Sequence, residues 1–292
     1  MKKLFAMILA VLMMVSCFAA CGQNPTADEN VGDTTAAPAD TTAAPADTTE
    51  APVDTTASVE SDMAMVAANG KLIVGITEYA PMDYKDENGE WTGFDAELAE
   101  MFAAELGVEC EFFVLGDWGK KFMELDTKNI DCVWNGMTIT EEALTSASVS
   151  DPYVVNAQVV VMKADKLAEY PDVESMKELT FAVEEGSAGQ SVAEEAGLTT
   201  ISKQDQAGAL MEVAAGTSDA CVIDITMAKA MTGEGTDYAD LAEGISLSSE
   251  EYGVAFRTGS DLTAKFNEFM EAKKADGSLQ ALADEYQLTL AE

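Results

Sequence analysis

The sequence predicts an α/β protein made of two like halves on mainly parallel sheets, behind an N-terminal segment that takes no part in the fold. Three observations predict it. From residue 71 onward, apolar runs of strand length alternate with stretches of helical periodicity. Asp131-Cys-Val-Trp-Asn-Gly136 is echoed by Asp219-Ala-Cys-Val-Ile-Asp224, each following a helix-like stretch, beginning with Asp and ending a strand five residues later. Residues 22 to 62 carry a repeated, proline-bearing unit that cannot build a core.

The leader comes first. Lys2 and Lys3 precede an apolar run from Leu4 to Val15, then small residues up to Cys21, so residues 1–20 read as an export signal. The run is too short for a comfortable membrane span. Phe18-Ala-Ala-Cys21-Gly22 resembles a bacterial lipobox, which implies lipidation of Cys21 and a chain anchored on the outer face of the cell membrane. Met14-Val-Ser-Cys17 is a weaker competing site, and plain secretion is the alternative. Residues 21–62 then read as a disordered linker. Its seven-residue unit starts at Asp33, Asp40, Asp47 and Asp54, and each full copy contains Pro and no large apolar residue.

In the folded part, Lys71-Leu-Ile-Val-Gly-Ile is a buried strand ending in the loop Thr77-Glu-Tyr-Ala-Pro-Met-Asp-Tyr. A helix follows with Leu98, Met101, Phe102 and Leu106 on one face, and Asp95 is its expected N-cap. Val108–Leu115 is a second strand, and Asp117 opens a helix bearing Trp118, Phe122 and Leu125. Ile130–Trp134 is a third strand, turning at Gly136. The second half repeats the scheme. Leu179-Thr-Phe-Ala-Val is a strand that ends in the glycine-rich turn Glu184-Glu-Gly-Ser-Ala-Gly, and Leu210, Val213 and Ala214 mark a helix before Asp219–Asp224. In open α/β sheets ligands bind beyond the carboxyl ends of strands, so two facing sets of strand ends imply a cleft.

Composition limits the chemistry. Against 53 Asp and Glu there are 16 Lys and Arg and no His, a formal charge of −37. Nucleic acid is excluded as a partner, since phosphate binding needs concentrated positive charge. The commonest general base and metal ligand is missing, and there is no Gly-x-Ser-x-Gly elbow or Cys–His pair, so no catalytic residue, cofactor or metal is assigned. Cys110, Cys132 and Cys221 lie in apolar strands and read as small buried residues rather than a disulfide framework.

Seven stretches carry a family resemblance when taken in order. They are GKLIVGITEYAPMDYKDENGEWTGFDAELAEMFAAELG, IDCVWNGMTIT, SDPYVVNAQVVV, EEGSAGQ, SDACVID, EEYGVAFRTGS and ADGSLQALADEY. Across residues 68–290 the chain resembles the solute-binding proteins of ABC importers, in their polar amino-acid group. The resemblance implies a two-lobe Venus-flytrap fold of the periplasmic-binding-protein type 2 kind, with two hinge crossovers. Lobe one would be residues 63–154 with 252–292, and lobe two residues 155–251. It also implies a monomer that closes on an amino acid or other amine-bearing small solute and delivers it to ABC permease subunits. A same-fold enzyme of dehydratase type and a sensory lipoprotein are the alternatives.

Carried over residue by residue, the resemblance makes Tyr79 and Trp118 aromatic walls, unless they only pack within their lobe. It puts the acid Glu78 near the ligand side chain, or leaves it a solvated loop acid. Asn135 reaches the ligand or fixes its own turn. Gly136 and Thr138 hold ammonium and carboxylate. Ser187 and Ala188 offer N–H groups at a helix N-terminus. Asp224 pairs with the α-ammonium, or caps the following helix. One position departs from the pattern: Ala143 stands where the family carries an arginine for the α-carboxylate. Three outcomes stay open there. Turn N–H groups and Thr138 suffice, a lysine such as Lys120 or Lys121 substitutes, or the ligand lacks that carboxylate.

Overall fold

The computed structural model describes residues 61–292. The expected export signal, the lipidated Cys21 and the linker up to residue 60 lie outside the described residues.

The alternation of runs becomes two five-stranded sheets. The first has the order Glu109–Val114, Lys71–Ile76, Cys132–Val133, Ala255–Phe256, Ser148–Val149. Its first three strands are parallel, and Ala255–Phe256 runs antiparallel to both neighbours. The second has the order Thr199–Lys203, Thr180–Glu184, Ala220–Asp224, Gln158–Lys163, Leu241–Ser246. Here the first three strands are parallel and the last two join antiparallel. The central strands are continuous apolar runs because both their faces are covered.

Only two segments cross between the sheets, and they pair with one another. Val154–Asn156 runs antiparallel to Glu250–Tyr252, with Val154 opposite Tyr252. This two-stranded ribbon is the connection between the two sheets among the described residues. Helix Phe94–Leu106 buries Phe94, Leu98 and Phe102, and helix Leu262–Asp276 adds Phe266 and Phe269. Trp134 and Phe102 meet Phe266 edge-on at 4.8 and 5.4 Å between ring centroids. Edge-to-face pairs add roughly 0.5–1.5 kcal/mol beyond the area they bury, so this cluster holds lobe one rigid behind its strand ends.

One local expectation is corrected. Asp95 is not an N-cap; Gly93 holds that position, at φ 120°. A Cβ on Gly93 would lie 2.3 Å from the Met82 carbonyl oxygen, so the chain enters the helix hard against residues 81 and 82. The N–H groups of Phe94 and Asp95 donate to Pro81 and Met82 carbonyls at 3.0 Å, which satisfies the first turn without a side chain. Asp95 is thereby free to turn inward, as described below. A helix, Asp62–Asn69, precedes the first strand, capped by Ser61 and ended by Gly70 at φ 70°. Only Asp62 and Val66 of that helix are buried, too little for a periodic signal. The three cysteines among the described residues are free; Cys132 and Cys221 are buried and Cys110 partly so. No described helix is long and apolar enough to cross a membrane.

Candidate functional site

A cavity of about 380 Å³ lies between the carboxyl ends of the two sheets. Both lobes and the hinge line it, and the lobes touch across it. The Tyr79 hydroxyl of lobe one bonds to the hydroxyls of Thr226 in lobe two and Tyr252 in the hinge. At the mouth, a Cβ on Gly186 would sit 2.6 Å from the Gly119 Cα of the other lobe. Gly186 therefore permits a backbone contact that a side chain at that position would hold open.

The lobe-one wall is built from the turn after strand Cys132–Val133. Gly136 has φ 54°, and a Cβ there would lie 2.5 Å from the Tyr79 ring, so only glycine lets the ring close over the turn. Its N–H donates to Asp95 Oδ2 at 2.6 Å, and Tyr153 donates to the same oxygen at 2.8 Å. Asn135 donates to Asp83 at 2.7 Å and exchanges hydrogen bonds with Thr77. Its amide is thus spent on fixing the turn. Burial raises the Asp83 and Asp95 carboxyls, Asp95 to about 7, against the lowering bonds from Gly136 and Tyr153.

Lobe two supplies acids. Asp224 ends the central strand Ala220–Asp224, is 3% exposed, and makes no cap bond to the helix that follows. Its oxygens accept from the amides of Asn156, Gln158 and Gln206. Asn156 and Gln158 share their donors with Glu250 Oε1 at 2.7 Å, and Thr138 donates to that oxygen at 2.8 Å. Burial, then the charge of Glu250, raise the Asp224 carboxyl to about 7, although the three amides pull the other way. Glu184 ends the neighbouring strand, is 3% exposed, and its Oε1 has no partner. Burial, then Asp224 and Asp205, hold its carboxyl well above the usual range.

Folded-state values raised above about 3.9, the usual aspartate value, have a definite sign. Protonated Asp95 and Asp224 stabilise the fold fully below about pH 4, and that contribution is lost as pH rises through about 7. A bound cation reverses the preference at Asp224, because it favours the ionised form.

The cavity lining includes Tyr79, Trp118, Asn135, Gly136, Thr138, Ser187, Ala188 and Asp224 among the residues singled out in the sequence. Glu78 is not with them. Thr77 and Tyr79 point inward along an extended segment, so the residue between them faces out and is exposed. Ala143 is also outside the lining, packed at 1% exposure among Leu115, Trp118 and Ile130. Ser187 caps helix Ala188–Glu195, its Oγ accepting from the Gln190 N–H at 3.1 Å. Lys121, Glu184, Gln206 and Glu250 also line the cavity. Glu184 was within reach of sequence reasoning, because it ends a strand as Asp224 does. Lining carboxylates are Glu141, Glu142, Glu184, Glu195, Asp224 and Glu250; the lining cation is Lys121.

The chain is similar to several known proteins. Residues 72–289 match the model of the bacterial extracellular solute-binding proteins, family 3. The L-cystine-binding protein TcyJ of Escherichia coli K12 is 27% identical over 225 residues, covering 76% of this chain and 84% of that one. The arginine-binding extracellular protein ArtP of Bacillus subtilis 168 is 30% identical over 222 residues, covering 73% and 84%. The crystal structure of an ancestral amino acid-binding protein, AncCDT-1, described as a precursor of cyclohexadienyl dehydratase, superposes with a TM-score of 0.71. It is 30% identical and covers 77% of this chain and 99% of that one.

Proposed function

We propose a function from one premise: the chain belongs to the bacterial extracellular solute-binding proteins, family 3. Its fold is the two-lobe periplasmic-binding kind, and its general role is solute binding outside the cytoplasm. Within that role, the cleft captures an amino acid or related amine-bearing solute by lobe closure and delivers it to the permease of an ABC importer. The chain acts as a monomer, anchored through lipid on Cys21 and held off the membrane by the linker.

One observation carries the reading: the Asp224 carboxylate, ringed by three amides in the closed cavity, has no lysine or arginine within ion-pair distance among the described residues. A buried carboxylate without a cation is costly, and a ligand ammonium supplies the missing charge. Tyr79, Trp118, Gly136, Thr138, Ser187 and Ala188 complete the wall around that ligand. Six lining carboxylates favour a solute carrying net positive charge. Closure follows the hinge ribbon, with Gly119 and Gly186 allowing the lobes to meet.

A thermal-shift panel of arginine, lysine, ornithine, histidine, cystine and their amines tests this. At a hundred-fold excess over Kd a ligand adds about 2.7 kcal/mol, or a rise of about 5–10 °C in Tm for a domain of this size. Because one carboxyl at about 7 must ionise, affinity should be about tenfold greater at pH 8 than at pH 6. No shift with any member at either pH would sink the proposal.

A further inference from the structure

We propose that Lys121 receives a carboxylate of the bound solute, and so separates an amino acid from its decarboxylated amine. The inference deepens the reading of the cleft given above and rests on it. Lys121 opens helix Lys121–Asp126, is 6% exposed and lines the same cavity as Asp224. Its ammonium reaches only two carbonyl oxygens, those of Trp118 and Gly186, both at 3.4 Å. No carboxylate lies within ion-pair distance of it among the described residues. The rings of Trp118 and Phe122 flank it at 4.8 and 4.9 Å, which fixes where the charge sits without neutralising it.

A buried ammonium with two long carbonyl contacts is under-compensated. Burial pulls its pKa down, while the charges of Glu142, Glu184 and Asp117 push the other way without touching it. The missing partner is an anion, and the cavity has space for one. Gly186 belongs to the turn that leads into helix Ala188–Glu195, and Ala188 lines the cavity at the first helical position. The N–H groups of a first turn lack intrahelical acceptors and carry the positive end of the helix dipole. A carboxylate between Lys121 and Ala188 thus meets a cation from one lobe and a helix N-terminus from the other. Glu184 is close by; burial raises its carboxyl, while the charge of Lys121 pulls it the other way. With an ammonium on Asp224, these contacts describe a zwitterion held across the cleft.

The test is calorimetric titration of the full chain and of Lys121→Met and Lys121→Arg. The probes are arginine, lysine, ornithine, histidine and cystine, each with its decarboxylated amine: agmatine, cadaverine, putrescine, histamine and cystamine. Wild type should prefer the amino acid of the pair it binds best. Lys121→Met keeps the length of the stem and removes the charge. It should weaken that amino acid by about 10- to 100-fold and the amine by less than about threefold. Lys121→Arg should restore the preference. Apo Tm, measured alongside, confirms that each variant folds. An equal loss for both members of the pair, or an unchanged preference, overturns the role of Lys121. A wild type that prefers the amine also overturns it while leaving amine capture intact. Failure of every probe to bind wild type overturns the reading of the cleft and this inference together.

Discussion

Asp224→Ala is expected to abolish capture of an ammonium-bearing solute. Asp224 is 3% exposed, lines the cavity and has no lysine or arginine within ion-pair distance among the described residues, so a ligand ammonium is its expected counter-charge. Truncating one partner of such a pair costs about 2–5 kcal/mol or more, a loss of roughly 30- to several-thousand-fold in Kd. The fold should tolerate the change. Asn156 and Gln158 keep Glu250 Oε1 as an acceptor, and only the Gln206 amide loses its carboxylate. The Asp224 carboxylate itself is destabilising when ionised, since burial raises its pKa to about 7. Titration calorimetry of wild type and variant at pH 8 reads the effect, and an unchanged Kd would remove Asp224 from the site.

The second large effect lies far from ligand. Arg257→Gln should lower Tm by about 6–20 °C, with the Kd of the still-folded protein unchanged. Arg257 is the chain's single arginine, and it is 8% exposed. Its Nε donates to both oxygens of Asp62 at 3.1 Å, and Nη2 donates to Asp131 at 3.0 Å. Nη1 donates to the Ile130 carbonyl at 2.6 Å and the Leu125 carbonyl at 3.3 Å. Asp131 in turn accepts from the Ile73 N–H at 2.9 Å, so one guanidinium ties the first helix to two strands. Removing it strands two buried carboxylates, which costs about 3–5 kcal/mol. At 2–4 °C per kcal/mol for a domain of this size, that gives the quoted range. A fall of less than about 2 °C in differential scanning calorimetry would show that the network contributes little.

What the sequence made legible follows from the range of the interactions involved. The central strands were readable because a strand covered on both faces must be continuously apolar, as Leu72–Val74 and Cys221–Ile223 are. Gly136 and Asp224 were named through the family resemblance, and the structure places them just beyond and at strand ends, both lining the cavity. Asp95 was misread because its capping role is local, whereas the Pro81 and Met82 carbonyls that replaced it come from the preceding loop. Glu78 was drawn toward the site by its neighbour Tyr79, although alternation along an extended segment sends the two apart. Lys121 was readable only as one of two candidate lysines, because what places it in the cavity is a contact to Gly186 of the other lobe, 65 residues away. The acid–amide cluster of Asp224, Glu250, Asn156 and Gln158 has the same origin, because the hinge strands bring it together.

The most direct measurement is a crystal structure of the protein grown with the solute that gives the largest rise in Tm. Closed lobes are expected, with the ligand's ammonium at hydrogen-bond distance, about 3 Å, from Asp224. A ligand seated elsewhere, for instance in the second cavity beside Lys229 and Gln287, or an ammonium that avoids Asp224, would contradict it.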